Sequence, residues 1–411
     1  MPRRVRFRVV HHALLLLGCS LLPLELGAGS AAADDDSMGF ASQDGDKGRD
    51  RDNRHFFEHD SLIISGSTYD STHGAVASLV VGTQLPDTAT KTIAAVSGNN
   101  YVTVWNNASV DGSFGVTSPI TLLDVDRFSG HIKHALPVST DEVVTSFSSK
   151  SELGLHFRRG HAGPQLTFVA YAGAGVGAID VSNSDAVPGQ DPTNPVTFAF
   201  GKNHAFHRTI VSLQEDGKFV YTPTIDYGGN NGRSALLASN GLYYAVGNAN
   251  NGNAATFGPG NGTNPDVTET TGLEVVNPIK APSSDMTIPP DNSAEADPLQ
   301  QFTFVAGKPD KPGKDNNFRG ITEFGGALYF TKGSGSNGID TVYTIDSLPT
   351  LDNAAETTIS VVPGFPTDSA KATGGDFTPF AVFFANPTTM YVTDEGTGNT
   401  TDTSTHAGLE K

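Results

Sequence analysis

The segment from Phe318 to Asp346, FRGITEFGGALYFTKGSGSNGIDTVYTID, constrains the possible folds more than any other part of the chain. It contains three runs rich in β-branched and aromatic residues, RGITEF, ALYFTKG and DTVYTID, with glycine between them. This composition predicts consecutive antiparallel strands joined by turns. A fourth run, Thr358–Val362, follows. Four such strands make one meander sheet, which is the blade of a β-propeller.

The same pattern recurs elsewhere in the chain. An apolar strand, a tight turn and a Leu/Met-Tyr strand occur at Gly232–Tyr244 and again at Phe380–Val392. The sequence therefore predicts an all-β protein, a β-propeller of four-stranded antiparallel meander blades. Blades are expected to start near residues 61, 151, 233, 319 and 378, so about four and a half blades are present.

Three details of this strand assignment are specific predictions. The second strand of the first sheet is placed at Val76–Leu85, and Trp105 is placed in a long loop that follows it. The fourth strand of the third sheet is placed at Phe302–Ala306. The propeller blades as a whole are predicted to span residues 56–396.

The last residues contain no strand pattern. The 18 residues after Thr393 show no alternation of β-branched or aromatic residues, so 397–411 is predicted to be a disordered tail. A propeller covers its edge strands by closing its ring. The sequence therefore predicts an incomplete, open ring, and a chain that is aggregation-prone or dependent on missing sequence.

The N-terminal region has the pattern of an export signal. Residues 1–33 contain four arginines, then the apolar run Ala13–Leu24, then Ala31-Ala32-Ala33. These are the charged, apolar and cleavage regions of a secretory signal peptide. Residues 34–55 are charged and poor in large apolar residues, which predicts a disordered linker. A secreted protein, extracellular or periplasmic, is expected.

Composition excludes several partners and chemistries. The chain has a formal net charge of −18 at pH 7, and removal of the arginine-rich leader makes it more acidic. Such a surface repels nucleic acid and anionic membranes, so neither is expected as a partner. The only cysteine lies in the leader, at Cys19. A mature chain without cysteine has no disulfide, thiolate metal site or cysteine nucleophile.

Two arginines are the main candidate ligand-binding residues. Arg233 and Arg319 both follow Asn-rich turns and begin an inner strand, and such positions converge on the channel mouth of a propeller. Guanidinium groups there would suit a carboxylate or phosphate. The structural alternative is pairing between blades with an acid such as Asp226 or Asp315. Asp376 is a further candidate at the same mouth.

Other residues are candidates for binding a metal ion or a carbohydrate. Asp340, Asp394 and Glu395 lie in loops after strands, where carboxylates bind Ca²⁺ in some propellers or simply end strands. Trp105 would stack a sugar or cap the first sheet. Three histidine pairs have metal-like spacing, but residues i and i+3 of a strand point to opposite faces. The pairs are His131 with His134, His156 with His161, and His204 with His207.

Several segments together resemble a family of secreted, mainly bacterial proteins that are similar to NHL/YncE-type β-propellers. The segments are FGVTSPI, YAGAGVGAIDVSNS, NNGRSALL, residues 314–346 and MYVTDEGTG. The resemblance implies a propeller fold and export. It implies no reaction, because the family has no catalytic residue set to transfer to this chain.

Two functional hypotheses follow. The first is an exported binding or scaffold propeller that uses its long loops and channel mouth for a small anionic molecule, a carbohydrate or a protein. The second is a metal-dependent hydrolase or lyase of the lactonase, phytase or amidating-lyase type, with Ca²⁺ as its cofactor. The chain contains no G-x-S-x-G, P-loop or H-E-x-x-H motif, so no catalytic residue is predicted.

Overall fold

The structure is a computed structural model of the 411-residue chain. It describes residues 61–70, 72–78, 80, 84–88, 91–94, 97–98, 101–105, 115–147, 153–160, 163–173, 175–178, 208–224, 227, 232–247, 272–278, 296–298, 318–333, 339–368, 377–396 and 408–410. The chain divides into two units, Met1–Gly45 and Asp46–Lys411. All described residues belong to the second unit, so the predicted leader and linker lie outside them.

The first half of the described chain contains thirteen strands and one short 3₁₀ helix, Ala75–Ser78. The strands are β1 (Ser61–Ser67), β2 (Gln84–Thr88), β3 (Lys91–Ala94), β4 (Ser97–Gly98), β5 (Tyr101–Trp105), β6 (Val116–Ser118), β7 (Ile120–Asp126), β8 (Ile132–Pro137), β9 (Val143–Phe147), β10 (His156–Gly160), β11 (Gly163–Ala172), β12 (Arg208–Leu213) and β13 (Phe219–Thr224).

The second half contains eleven described strands and a second 3₁₀ helix, Leu351–Glu356. The strands are β14 (Gly232–Leu237), β15 (Tyr243–Gly247), β16 (Leu273–Val276), β17 (Ala296–Pro298), β18 (Ile321–Phe324), β19 (Ala327–Lys332), β20 (Thr341–Ile345), β21 (Ser360–Val361), β22 (Pro379–Asn386), β23 (Thr389–Asp394) and β24 (Gly408–Glu410).

Five antiparallel sheets follow one another along the chain. In strand order they are β1-β7-β8, β13-β12-β11-β9-β6 with β10 on β11, β14-β15-β16-β17, β18-β19-β20-β21, and β22-β23-β24. Two small hairpins, β2-β3 and β4-β5, complete the named pairings. The described part of the chain has no helix other than the two 3₁₀ helices. None has the length and apolar character needed to span a bilayer.

An apolar layer fills the space between each sheet and the next, which is how propeller blades pack. Between the first and second sheets, residues of β7 pack with residues of β11 and β12. Between the second and third sheets, residues of β11 and β12 pack with residues of β14 and β15, which in turn pack with β18 and β19 of the fourth sheet. Between the fourth and fifth sheets, residues of β20 pack with residues of β22 and β23. The inner strands β14, β18 and β22 each lie against the preceding sheet. The predicted all-β propeller class is therefore confirmed.

The third and fourth sheets are four-stranded meanders, and the fourth contains all four strands indicated by the sequence. In the third sheet the outer strand is Ala296–Pro298, which pairs with Glu274–Val276. The predicted strand Phe302–Ala306 lies outside the described residues. The second sheet contains two strands that the sequence pattern did not indicate, β6 and β9, which extend the sheet beyond β11.

The prediction for Val76–Leu85 is wrong. Val76 lies in the first 3₁₀ helix, where its amide donates to the Gly177 carbonyl at 3.0 Å. Gly74 approaches Gly177 so closely that an added Cβ would lie 2.7 Å from its carbonyl carbon. This tertiary docking outweighs the strand propensity of the segment. The first sheet is consequently three-stranded, with β7 between β1 and β8.

The fifth sheet also differs from the prediction. Gly408–Glu410, placed by sequence in a disordered tail, pairs with Val392–Asp394 as the third strand of this sheet. A three-residue strand is too short to produce a detectable alternation of side chains, so periodicity could not indicate it. Among the described residues, no strand pairing joins the first sheet to the fifth.

Close approach between the fourth and fifth sheets depends on glycine. A Cβ added to Gly320 would lie 2.6 Å from the Phe380 carbonyl oxygen and 2.9 Å from Ala381 Cα. The neighbouring Thr331 hydroxyl donates to the same Phe380 carbonyl at 2.7 Å. Two backbones therefore meet where β18 begins, and glycine is required there because of space rather than backbone conformation.

Substitution of Gly320 by alanine is expected to separate the two sheets. Overpacking of this kind lowers the free energy of unfolding by about 1–3 kcal/mol, which urea denaturation would measure. Gly66→Ala is the matched control, since its Cβ would meet its nearest atoms at 3.7 and 3.9 Å and should change stability by less than about 0.5 kcal/mol. Equal stability of the two variants would contradict this packing.

Candidate functional site

Four charged side chains meet at one end of the fourth sheet. Arg319 precedes β18, Lys332 ends β19, Asp340 precedes β20, and Glu395 follows β23 of the next sheet. Neighbouring strands of this sheet are antiparallel. One end of the sheet therefore contains the start of β18, the end of β19 and the start of β20. We call these four residues the mouth cluster. It contains two cations and two anions.

The mouth cluster consists of two ion pairs. Arg319 Nη2 lies 3.0 Å from Glu395 Oε1, and Nη1 donates to Oε2 at 3.4 Å, so the guanidinium grips both carboxylate oxygens. Lys332 Nζ lies 3.2 Å from Asp340 Oδ1. The side chains of Arg319, Lys332 and Asp340 are 2%, 1% and 6% exposed, whereas that of Glu395 is 34% exposed.

Burial perturbs the charged groups of this cluster. Removal from water lowers the pKa of Arg319, an effect opposed by Glu395 and Asp340. Burial also raises the pKa of Asp340, against the opposing attraction of Lys332. Each charge is therefore held in the interior by its partner, and loss of one partner leaves the other uncompensated.

Asp394 lies beside this cluster and fixes the start of β22. Its Oδ1 accepts hydrogen bonds from the Thr378 hydroxyl at 2.6 Å and from the Gly396 amide at 2.8 Å. Its Oδ2 is buried and has no hydrogen-bond partner in the described part of the chain. The bonds through Oδ1 join the beginning of β22 to the end of β23.

The structure brings together four residues that the sequence had suggested for different roles. Arg319, an anion-site candidate, lies with Asp340, Asp394 and Glu395, the metal candidates. Arg319 pairs with Glu395 of the next sheet, in the manner of the predicted pairing between blades, while the suggested partner Asp315 lies outside the described residues. Among the described residues, no cluster of His, Cys, Asp or Glu has the arrangement of a metal site.

The remaining candidates lie in other strands or outside the described residues. Arg233 is 3% exposed and is the extra residue of a β-bulge between Gly232 and Ser234. Trp105 ends β5 within a hairpin, so its placement in a loop is wrong. The other two mouth candidates, Asp226 and Asp376, lie outside the described residues.

The histidine pairs give no chelating arrangement where they are described. His134 Nδ1 lies 3.1 Å from the buried Asp124 Oδ2, while His131 precedes β8 and is exposed. His156 Nε2 contacts the Ser234 hydroxyl. The partner residues His161, His204 and His207 lie outside the described ranges.

A polar cleft of about 260 Å³ lies where the second, third and fourth sheets meet. The register of β10 and β11 pairs Arg158 with Gln165 and His156 with Thr167, and all four residues line the cleft. The end of β14 and the strand β18 supply the rest of the lining. Those residues are Leu236, Leu237, Ser239, Thr322 and Glu323, and Phe157 also contributes.

The charges of the cleft are occupied by protein partners. Arg158 donates to the carbonyl oxygens of Leu237 and Ala238. Glu323 accepts from the Ser239 amide at 2.8 Å and from the Ser239 hydroxyl. These contacts tie the second sheet to the third and the third to the fourth, so the cleft is built on three mutually braced sheets.

Two cleft residues have notable hydrogen-bonding states. His156 Nε2 lies 2.6 Å from the Ser234 hydroxyl, and removal from water lowers the pKa of His156 to about 4. The imidazole is therefore neutral at neutral pH. Gln165 donates to Gln214 at 2.7 Å, but its Oε1 is buried without a hydrogen-bond partner among the described residues.

Sequence reasoning did not select Lys332, Gln165 or Glu323. A signal exists for Lys332, since it is a cation at the end of the apolar run ALYFTK. Gln165 and Glu323 look like ordinary polar strand residues in the sequence. Their convergence depends on how three sheets pack, which no local pattern indicates.

Comparisons with known proteins give little further information. No protein-family model and no curated protein sequence matches the chain. Among solved structures, the chain is similar to the RS223 beta-xylosidase, with 11% identity and a TM-score of 0.34 over 80% of this chain and 88% of that chain. It is also similar to the GH43_1 enzyme from Xanthomonas citri complexed with xylose, with 10% identity and a TM-score of 0.31 over 76% and 84%. TM-scores of this size support no argument about fold or function.

Breaking the buried Lys332–Asp340 pair should destabilise the protein strongly. Lys332→Met leaves the Asp340 carboxylate buried without its cation, which costs about 3 kcal/mol of unfolding free energy. The double variant Lys332→Met/Asp340→Asn should recover much of that loss, because the second change removes the buried charge. Urea denaturation of the cycle would measure the coupling, and strictly additive losses would contradict the pairing.

Acidification should destabilise the protein because His156 is buried in its neutral form. Its pKa is about 4 in the folded protein and 6.5 for an unperturbed side chain. The unfolded chain therefore binds a proton more readily between these values, so this contribution to stability is lost as pH falls from about 6.5 to about 4. In His156→Gln, proton uptake on unfolding in that window should decrease by up to one proton.

Denaturation at several pH values would measure this uptake. The account of His156 fails if His156→Gln and the unaltered chain show the same pH dependence.

Proposed function

We propose that this protein is a non-enzymatic binding propeller that holds a small, neutral, hydroxyl-rich ligand, of which carbohydrates are the main class, in its polar cleft. The observation that supports this most is the convergence of hydrogen-bonding side chains from three sheets on one cleft of about 260 Å³. Ligand pockets in proteins typically measure about 300–1,000 Å³. A cleft slightly smaller than that range suits one or two sugar rings.

The electrostatics of the cleft favour a neutral ligand. Arg158 is bonded to backbone carbonyls and Glu323 to Ser239, while His156 is neutral at neutral pH because its pKa is about 4. Arg158 and Glu323 carry one positive and one negative charge, so the charges that line the cleft sum to zero. An ion would lose its hydration in the cleft without meeting a net opposite charge, which is unfavourable, whereas a neutral polar ligand avoids this cost.

The hydrogen-bonding capacity of the cleft favours hydroxyl donors. Gln165 Oε1 is a buried acceptor whose lone pairs meet no donor among the described residues. Gln165 lines the cleft, and a rotation of its amide that presents Oε1 to a ligand hydroxyl would give this oxygen a donor, which is favourable. The hydroxyl groups of Ser239 and Thr322 also line the cleft, so a polyhydroxylated ligand has several partners there.

Export and family membership are part of the same proposal. The charged, apolar and small-residue regions of residues 1–33 support secretion of the mature propeller. The resemblance to NHL/YncE-type propellers is compatible with a secreted binding protein.

Two other functions suggested by the sequence have less support than sugar binding in the cleft. An anion at Arg233 and Arg319 has less support, because Glu395 holds the Arg319 guanidinium through both carboxylate oxygens. A Ca²⁺-dependent hydrolase or lyase has less support, because Lys332 and Arg319 neutralise Asp340 and Glu395. A protein ligand would bind the loops rather than the cleft.

Calorimetry with sugars tests the binding proposal. D-glucose, D-galactose, D-xylose, cellobiose and lactose serve as probes, and at least one should bind with a dissociation constant of about 1 mM or tighter. Gln165→Met keeps the side-chain volume but removes the acceptor, so it should weaken binding about tenfold. Lys218→Met, at the exposed turn between β12 and β13, is the control and should bind as the unaltered chain does.

Other outcomes would overturn the proposal. Binding of inorganic phosphate that is lost in Arg233→Met but retained in Gln165→Met would favour the anion site. About one equivalent of calcium or zinc in the purified protein, with turnover of lactones or phosphate esters, would favour the enzyme. Failure of all five sugars to bind would remove the carbohydrate proposal.

A further inference from the structure

The polar cleft contains a guanidinium group with one unused edge. Only Nη1 of Arg158 takes part in the bonds to the carbonyl oxygens of Leu237 and Ala238. Nε and Nη2 of Arg158 make no hydrogen bond with the described residues, and neither atom is buried. The N–H groups of these two atoms are parallel along one side of the planar guanidinium. Arg158 therefore offers the cleft a pair of adjacent donors.

This donor pair is held in a fixed position. The carbonyl acceptors of Nη1 belong to the last residue of β14 and to the residue after it. The register of β10 and β11 fixes the base of the side chain, since Arg158 lies opposite Gln165. A group that is positioned before the ligand arrives loses less conformational entropy on binding. The donor pair is therefore preorganised for two oxygen atoms that lie side by side.

The fourth sheet supplies acceptors to the same cleft. Glu323 accepts from the Ser239 amide through Oε2 and from the Ser239 hydroxyl through Oε1. Each carboxylate oxygen has a second lone pair for a further donor. In the described part of the chain, Arg158 and Glu323 line the cleft without forming an ion pair with each other. The donor edge of Arg158 and the acceptors of Glu323 are therefore both available to a ligand.

We propose that the group recognised in this cleft is a vicinal diol of a sugar, which is a pair of hydroxyl groups on neighbouring ring carbons. The inference rests on the proposed function, which is carbohydrate binding in the cleft. The two diol oxygens accept from Nε and Nη2 of Arg158, because a guanidinium edge suits two oxygens held side by side. The hydroxyl hydrogens are then available for donation to Glu323. A diol thus uses donors and acceptors of the cleft while remaining neutral.

A carboxylate also matches a guanidinium edge, but it suits this cleft less well. It has no hydrogen to donate to Glu323, and it would place a second negative charge in the cleft that Glu323 lines. Like charges at short range repel each other. An isolated hydroxyl is also a weaker match, since it leaves one of the two N–H groups of Arg158 without a protein or ligand partner.

Calorimetry with deoxygenated sugars tests recognition of a diol. The parent probes are the methyl β-glycopyranosides of D-glucose, D-galactose and D-xylose, in which every vicinal pair includes the hydroxyl at C3. The 3-deoxy derivative of each parent contains no vicinal pair, so it should bind at least about tenfold more weakly than the parent. The 6-deoxy derivatives of the glucoside and the galactoside keep their vicinal pairs and are the controls. They should bind as their parents do.

Variants of two adjacent arginines test the role of Arg158. Arg158→Lys keeps the charge but removes the second parallel N–H group, so it should bind a parent and its 3-deoxy derivative with nearly equal affinity. Arg159→Lys is the matched control, because the Arg159 side chain is exposed and its Cζ lies 5.5 Å from the centroid of the Phe157 ring. This variant should discriminate between the two probes as the unaltered chain does. Circular dichroism and thermal melting would verify that both variants fold.

The outcomes separate this inference from the proposed function. Equal binding of a parent and its 3-deoxy derivative to the unaltered chain would overturn the diol and leave sugar binding intact. Equal loss of discrimination in Arg158→Lys and Arg159→Lys would overturn the role of Arg158. Tighter binding of methyl β-D-glucuronide than of the glucoside would assign the edge to a carboxylate. If no parent binds, the inference falls, and calorimetry with the five sugars decides separately whether the cleft binds carbohydrate.

Discussion

Face-to-face packing of successive antiparallel sheets is the interaction on which the rest of this structure depends. Each internal sheet is apolar on both sides, and each apolar layer is shared between two sheets. Burial of such layers is the main favourable term in folding. The close backbone contact at Gly320 and the bond from Thr331 to Phe380 set how near two sheets come. Both polar sites follow from this packing, because each is made from residues of neighbouring sheets.

The two polar sites lie at opposite ends of one inner strand. Arg319 comes just before β18 and Glu323 lies near its end, four residues apart, or about 13 Å along an extended strand. At the first end the side chains are buried and paired, which suits a structural role that fixes two sheets. At the second end a cleft remains, with a neutral imidazole and an unsatisfied amide oxygen. The same strand thus contributes to a closed ionic contact and to an open polar site.

Sequence periodicity predicted the fold class and the strands of the fourth sheet because the runs that form them are rich in β-branched and aromatic residues and are separated by glycine-containing turns. It was wrong for Val76, where docking against Gly177 outweighs local propensity, and for Gly408–Glu410, which is too short to show a pattern. The mouth residues Arg319, Asp340 and Glu395 were selected individually as charges near strand ends. Their association was not predictable, since Arg319 and Glu395 are 76 residues apart and a nearer acid was the natural assumption. The cleft is lined by residues of three sheets, so no local sequence pattern indicated it.

We propose that the polar cleft, and not the mouth cluster, is the ligand site of this propeller. Amide hydrogen exchange, followed by mass spectrometry with and without a saturating disaccharide, tests it most directly because it locates binding along the chain. The account predicts slower exchange in peptides that cover β10, the end of β14 and β18, with no change around Asp340 and Glu395. Protection confined to peptides around Arg233 and Glu395, or no protection in any peptide, would contradict it.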